Sequence, residues 1–192
     1  MSVSSKTEIL NSALRKLGAE AILTAEDSST RARLVSASYD IKLPELIRSH
    51  PWNRFISYVE LAAVDPTPAD VYDYSYVFQL PEDCLRVLDT SLGSRSPWEE
   101  IEGKRIACDE SEITVKYIKL VEDVSKFDAN FVETLAWMIA EDCAYVITQS
   151  TAQVELCGKK AKESLRMARS YDAQVGSVKV VEANEWLDSR RY

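Results

Sequence analysis

Apolar residues recur three and four positions apart over the first 50 residues, which indicates two amphipathic helices. Ser5 and Glu8 form a capping box that predicts the start of the first helix, and Gly18 predicts its end. Residues 26–30 supply candidate N-caps for the second helix. Pro44 lies inside the second apolar pattern, so a kink or a split into two helices is expected there.

The block His50-Pro51-Trp52-Asn53 closes the second helix, because a residue before proline avoids the α conformation. Alternating and β-branched segments follow, and the one at residues 98–109 has the form of a hairpin turning at Glu102-Gly103-Lys104. They predict a β-rich insertion over residues 53–120, with Trp52 packed under the sheet. The other predicted strands span residues 55–61, 74–80, 84–89 and 113–118.

Helical periodicity returns after residue 120, where Asp128 and Ser150 are candidate N-caps for a third and a fourth helix. The third helix is apolar on two faces, which is typical of the central helix in a bundle. One face carries Phe131, Leu135, Ile139 and Val146, and the other carries Trp137, Ala140, Ala144 and Ile147. The apolar side of the fourth helix consists of Val154, Cys157, Ala161, Leu165 and Ala168.

These patterns predict an α+β fold: a helical bundle of about four helices with a β-rich insertion and an extended C-terminal arm. The bundle is assigned to residues 1–52 and 121–175, the insertion to residues 53–120 and the arm to residues 176–192. Tyr72, Tyr74 and Tyr76 recur at strand spacing, so a tyrosine-lined sheet face is expected, serving as core or interface.

The composition excludes several classes of function. The chain has 192 residues and a formal net charge of −8, the wrong sign for a general nucleic-acid binder. No apolar run is long enough to cross a bilayer and no signal peptide is recognisable, so no membrane partner is expected. Four widely spaced cysteines and a single histidine argue against a zinc site and for free thiols.

Candidate chemistry is sparse. His50 is the only histidine and precedes a proline, where packing or turn formation is the expected role rather than that of a catalytic base. The five glycines are isolated, so no phosphate-binding loop is predicted, and no cofactor or metal is expected. Adjacent carboxylates occur at Glu26-Asp27, Glu99-Glu100 and Glu141-Asp142, and the last pair is expected to meet a lysine or arginine on a neighbouring helix or subunit. We therefore expect no enzyme.

Two surfaces are candidates for interaction. The fourth helix carries a basic face that is either solvated, or meets acidic groups of another subunit, or meets DNA. Its residues are Lys159, Lys160, Lys162, Arg166 and Arg169. The arm is rich in residue types common at interface hot spots, which favours docking on a partner over disorder or folding back. Those arm residues are Trp186, Leu187, Arg190, Arg191 and Tyr192.

Several blocks, taken in order, resemble the head-to-tail adaptor family of short-tailed bacteriophages, of the tail tubular protein A or tail accessory factor type. The resemblance covers about residues 5–175, and the order and spacing of the blocks carry it. The blocks are ALRKLG at 13–18, HPWN at 50–53, FQLPEDCLRV at 78–87, WEEIEG at 98–103, YI at 117–118, FDANF at 127–131 and ARSYDA at 168–173.

The resemblance implies a structural connector, in which twelve copies form a ring beneath the portal protein and offer their far face to the tail nozzle protein. It places the protein in the virion at the head–tail junction, assembled in the bacterial host cytoplasm. It also implies a C-terminal segment that reaches the portal or a neighbouring subunit. DNA would pass through the channel without specific binding, since twelve copies of an acidic chain repel phosphate.

Two other functions stay open at the level of sequence. Some relatives have been credited with peptidoglycan hydrolysis, so a virion-associated hydrolase using a carboxylate pair is the alternative, although no family motif fixes catalytic positions here. A stand-alone helical regulator that binds no portal is a third hypothesis.

Overall fold

A computed structural model describes residues 5–64, 73–92 and 96–175. It contains the predicted helices and strands and confirms the α+β fold with a helical bundle. The helices are α1 (Lys6–Lys16), α2 (Thr30–Arg48), α3 (Ala129–Thr148) and α4 (Thr151–Gln174). The strands are β1 (Ile56–Ala62), β2 (Tyr76–Gln79), β3 (Cys84–Thr90), β4 (Trp98–Ile101), β5 (Arg105–Cys108) and β6 (Glu112–Lys119). The arm at residues 176–192 lies outside the described residues.

Side-chain caps begin the helices where the sequence predicts them. Ser5 Oγ accepts from the backbone N–H of Glu8 at 3.3 Å, and Ser150 Oγ accepts from Gln153 at the same distance. The carboxylate of Asp128 accepts from the N–H of Phe131 at 2.6 Å. Each cap satisfies a donor that the first turn of a helix cannot pair internally. Gly18 follows α1 with φ of +68°, the left-handed conformation that ends a helix.

Pro44 does not divide the second helix. α2 runs unbroken from Thr30 to Arg48 with Pro44 inside it, so of the two predicted outcomes, a kink or a split, the split does not occur. The carbonyl left without its helical donor belongs to Asp40, and Asp40 is exposed, so water can take the place of that donor.

α3 is the central helix, as its two apolar faces predict. It packs against α1, α2 and α4, whereas α1 and α2 touch each other far less. Phe131, Leu135 and Ile139 are fully buried. Val146 was expected on the same buried stripe, but it is 59% exposed, because the end of α3 borders an open groove beside Leu34 of α2.

The insertion forms two three-stranded antiparallel sheets instead of one. The first has the order β1-β6-β3 and the second has the order β2-β5-β4. The predicted hairpin joins β4 to β5, with Glu102 and Gly103 both at positive φ as a tight turn requires. The expected row of tyrosines does not form, since Tyr74 precedes β2 and only Tyr76 lies in a described strand; Tyr72 is outside the described residues.

The bundle core reaches into the base of the first sheet. Ile118 of β6 is fully buried in the same cluster as Trp52, Phe55 and Phe131. The ring of Trp52 lies 5.4 Å from that of Phe131 at the start of α3. Trp52 therefore packs where the bundle core meets the base of the first sheet.

Candidate functional site

The His50-Pro51-Trp52-Asn53 block forms a joint where α2, α3, α4 and the β insertion meet. Trp52 is 1% exposed, and its indole N–H donates to the carbonyl of Leu46 at 3.0 Å. This bond satisfies the polar atom of an otherwise apolar side chain. It also occupies a carbonyl in the last turn of α2, so the tryptophan holds the helix end in place.

Asp172, near the end of α4, is the polar centre of the joint. It is 5% exposed, and its two carboxylate oxygens each lie 3.2 Å from the backbone nitrogen of Asn53. The side-chain amide of Asn53 donates to Asp172 Oδ2 at 3.2 Å and to the Asp172 carbonyl at 2.7 Å. A buried carboxylate is tolerated only when such donors replace water. Four hydrogen-bond contacts therefore join Asn53 to Asp172, which lies 119 positions later in the sequence.

His50 also faces this carboxylate. Its Nε2 lies 3.4 Å from Asp172 Oδ2, a contact between segments that the sequence alone does not indicate. Burial lowers the pKa of His50 below its ordinary 6.5, and although Asp172 opposes this shift, nearby Arg169 adds to it. The imidazole is therefore mainly neutral at pH 7, which suits packing against Trp52, whose ring is 4.8 Å away.

Arginines surround the C-terminus of α2 at the same joint. Arg169 of α4 donates to the carbonyl of Ser49 at 3.1 Å, and Arg86 of β3 donates to the carbonyl of Arg48 at 3.4 Å. Cations at this end of a helix complement its partial negative charge. The sequence predicts Arg169 on the basic face of α4, but in the structure its guanidinium binds the carbonyl of Ser49 at the joint.

The remaining predicted basic residues divide between two sides of α4. Lys160 pairs with Glu163 at 3.0 Å. Lys159, Lys162 and Arg166 are exposed, lie three and four positions apart, and form no ion pair with any residue in the described ranges. We call these three residues the basic flank. Their spacing places them along one edge of the helix. They are not isolated from negative charge, since the pKa of Glu163 on the same helix is lowered by Lys160 and, to a smaller extent, by Arg166.

The adjacent carboxylates lie on three separate elements: the loop before α2, strand β4 and helix α3. Glu141 packs against Gly158 of α4, where a Cβ atom would come within 2.7 Å of its Oε1 atom. The Lys42 ammonium on α2 donates to Glu45 at 2.9 Å, and this hydrogen bond is the main cause of its raised pKa, to which the charges of Asp142 and Glu141 add less. Neither Glu141 nor Asp142 forms an ion pair with a residue of the described ranges, so a partner for the pair stays a prediction. The sequence gives no sign that Gly158 makes room for Glu141.

The cysteines are free and three of them are buried. Burial raises the pKa of Cys143 to about 11 and that of Cys84 to about 11, so both thiols stay protonated near neutral pH. Within the described ranges no group of three or more histidine, cysteine or acidic residues is arranged to hold a metal ion. None of the helices described is both long enough and apolar enough to span a bilayer.

The predicted arm residues Trp186, Leu187, Arg190, Arg191 and Tyr192 lie beyond residue 175, outside the described part of the chain. The joint thus brings together His50, Asn53 and Asp172 from distant segments, whereas the basic flank is a separate surface. A scan against models of known protein families gives no match to this chain. A search of curated proteins gives no match either.

Proposed function

We propose that the protein is a structural head-to-tail connector of a phage virion. In this proposal twelve copies form a ring under the portal protein, extend the DNA channel and dock the tail nozzle protein. The ring sits at the head–tail junction, carries no active site and lets DNA pass without specific binding.

The observation that carries the proposal is the joint. Three of the blocks that resemble the adaptor family, at residues 50–53, 127–131 and 168–173, are far apart in sequence and contact one another there. Trp52 stacks edge-on against Phe131, and Asn53 binds Asp172. Arg54, next to the first block, pairs with Asp128 at 2.7 Å. Blocks that are distant in sequence but belong to the resemblance are thus packed together. This packing supports treating them as one family signature.

The position of the last helix gives a second line of support. α4 ends at Gln174, two residues after Asp172 is bound to the joint. The arm therefore starts at a fixed point on the boundary between bundle and insertion. Its 17 residues can span at most about 60 Å when extended.

The test is assembly with a purified portal ring. We expect a ring-shaped complex, seen as a mass increase by light scattering and imaged by native electron microscopy. Deletion of residues 178–192 is expected to abolish or strongly weaken binding. Trp186→Ala with Leu187→Ala should weaken binding, because large apolar side chains dominate interface energy, while Lys179→Ala in the same arm serves as the matched control.

Two outcomes would remove the proposal. The first is a protein that stays alone in the presence of portal at every ratio tried. The second is a purified chain that clears peptidoglycan in a zymogram and loses this activity in a single Glu→Gln variant, which would establish the hydrolase instead.

A further inference from the structure

The far tip of the β insertion is acidic. Asp73, Asp109, Glu110 and Glu112 are exposed at the turns that lead into β2 and β6. Asp109 accepts from Ser75 and Glu110 accepts from Ser96, so their partners are hydroxyls and a backbone N–H rather than cations. None of the four forms an ion pair with a residue of the described ranges. We call this set the acidic tip.

The acidic tip is directed away from the bundle. Strand β6 begins at Glu112 in the tip, and six residues later Ile118 is buried in the bundle core. At about 3.3 Å per residue, this separation is about 20 Å. β1 returns antiparallel to β6 and pairs Ala62 with Glu112. The acidic carboxylates therefore stand at the end of a paired ribbon and cannot be neutralised by the bundle.

The basic flank is the opposite case on the same chain. Lys159, Lys162 and Arg166 extend over about 10 Å of α4. Arg48 and Arg86, at the joint end of the molecule, are also exposed and form no ion pair in the described ranges. These cations belong to a chain with a net charge of −8, and Glu155 and Glu163 lie on the same helix as the flank.

We propose that copies of this chain bind one another by placing the basic flank of one copy against the acidic tip of the next. This contact rests on the proposed function, since it names the interface that a ring of identical subunits requires. Two different patches on each subunit make a head-to-tail contact, and such a contact closes into a ring when the rotation between copies allows it. Opposite charges fix the register of the copies and speed their encounter.

A second copy fits the observations better than nucleic acid does. DNA on the basic flank would leave the acidic tip without a partner, and the overall charge of −8 would repel it. A second copy satisfies both faces at once. The lysines and arginine of the flank and the side chain of Glu112 make no hydrogen bond in the described ranges, whereas Asp109 and Glu110 bind only serine hydroxyls and a backbone N–H.

Charge-reversal variants test the contact. The flank variant is Lys162→Glu with Arg166→Glu, and the tip variant is Glu110→Lys with Glu112→Lys. The matched control is Arg15→Glu with Arg33→Glu, which reverses two exposed arginines of α1 and α2 that form no ion pair within the described part of the chain. Circular dichroism and the melting temperature establish that each variant is folded. Self-association is then measured by sedimentation velocity at low ionic strength.

Wild type and control should self-associate, and each interface variant alone should lose about tenfold or more in its association constant. An equal mixture of the flank and tip variants should recover association, because each supplies the charge that the other lacks. Raising the salt concentration should weaken the wild type and the mixture alike.

The inference is overturned by a wild type that stays monomeric under these conditions, or by a mixture that does not recover. Duplex DNA binding that the flank variant abolishes, with self-association unchanged, would reassign the flank to nucleic acid. Portal binding separates the two proposals. If the protein binds portal but the charge reversals do not change its self-association, the connector function stands and this interface does not. A chain that pairs through the two faces but does not bind portal keeps the interface alone.

Discussion

The helical bundle and the β insertion bury their apolar residues in different ways. The bundle has one continuous core, in which Trp52, Phe55 and Phe131 meet edge-on at 5.1–5.4 Å. The insertion divides its apolar residues between a cluster around Phe78 and a smaller pair, Val77 with Ala107. Small sheets with separate cores open more readily than a single large core. We therefore expect stability to be concentrated in the bundle and the insertion to open more readily.

The largest effect should come from Trp52→Ala. The change removes a fully buried ring and its hydrogen bond to Leu46, and we expect a loss of about 3–5 kcal/mol in the free energy of unfolding, measured with urea. The control is Trp98→Ala on strand β4, where the ring is 36% exposed and the expected loss is less than about 1.5 kcal/mol. Equal losses would mean that the two regions do not differ in the way described.

A smaller loss is expected when the joint between the two regions is broken. Asp172→Ala leaves the backbone N–H of Asn53 without an acceptor and takes one of the two acceptors from its side-chain amide, which keeps the Asp172 backbone carbonyl. This change should cost about 1–3 kcal/mol. Asp172→Asn retains one acceptor oxygen and should cost less. Asp40→Ala, which removes an exposed carboxylate paired with Lys6, should change stability by less than about 1 kcal/mol in the same urea titration. An Asp172→Ala chain as stable as wild type would show that the joint does not hold α4.

The contact between α3 and α4 allows a sharper, smaller test. Alanine stabilises a helix by about 1 kcal/mol over glycine, but at position 158 its Cβ would collide with Glu141. Gly158→Ala should therefore stabilise a Glu141→Ala background more than it stabilises wild type. A double-mutant cycle of thermal or urea unfolding measures the difference. Strict additivity would contradict the crowding inferred here.

The smallest expected effect is the pH dependence of the joint. The pKa of His50 is lower in the folded chain than the 6.5 of the unfolded chain, so the unfolded state binds more protons between these two values. Stability should rise with pH across that window and become flat above it. His50→Gln should remove this rise, and no other histidine complicates the measurement. If stability still rises with pH in the His50→Gln chain, another titratable group causes the effect.

Local signals explain how much of the fold the sequence predicts. The helix starts at Ser5, Asp128 and Ser150 are predictable, because a capping side chain bonds to a backbone N–H only three residues further along the chain. The turn at Glu102-Gly103 is similarly local. The division of the strands into two sheets depends instead on which strand pairs with which, and strand periodicity alone does not encode partners.

The joint shows why the candidate site was only half predictable. The proline after His50 predicts a break in the helix, but nothing near Asn53 points to Asp172, 119 positions away. Asp172 looks like a surface residue in a helix that is rich in charges, since burial of a carboxylate depends on donors supplied by other segments. Arg169 was assigned to the basic face for the same reason. The basic flank itself was predictable because exposure and spacing on one helix are local properties.

The pairing of Ile56 with Ile118 has a consequence for engineering the chain. The insertion leaves the bundle and returns to it on adjacent strands, only about 5 Å apart. A two-residue turn could bridge that gap, so the strands between these positions can in principle be shortened or exchanged at a single splice point. Any replacement has to restore the apolar cover that Leu85 and Leu88 of β3 give to the bundle core.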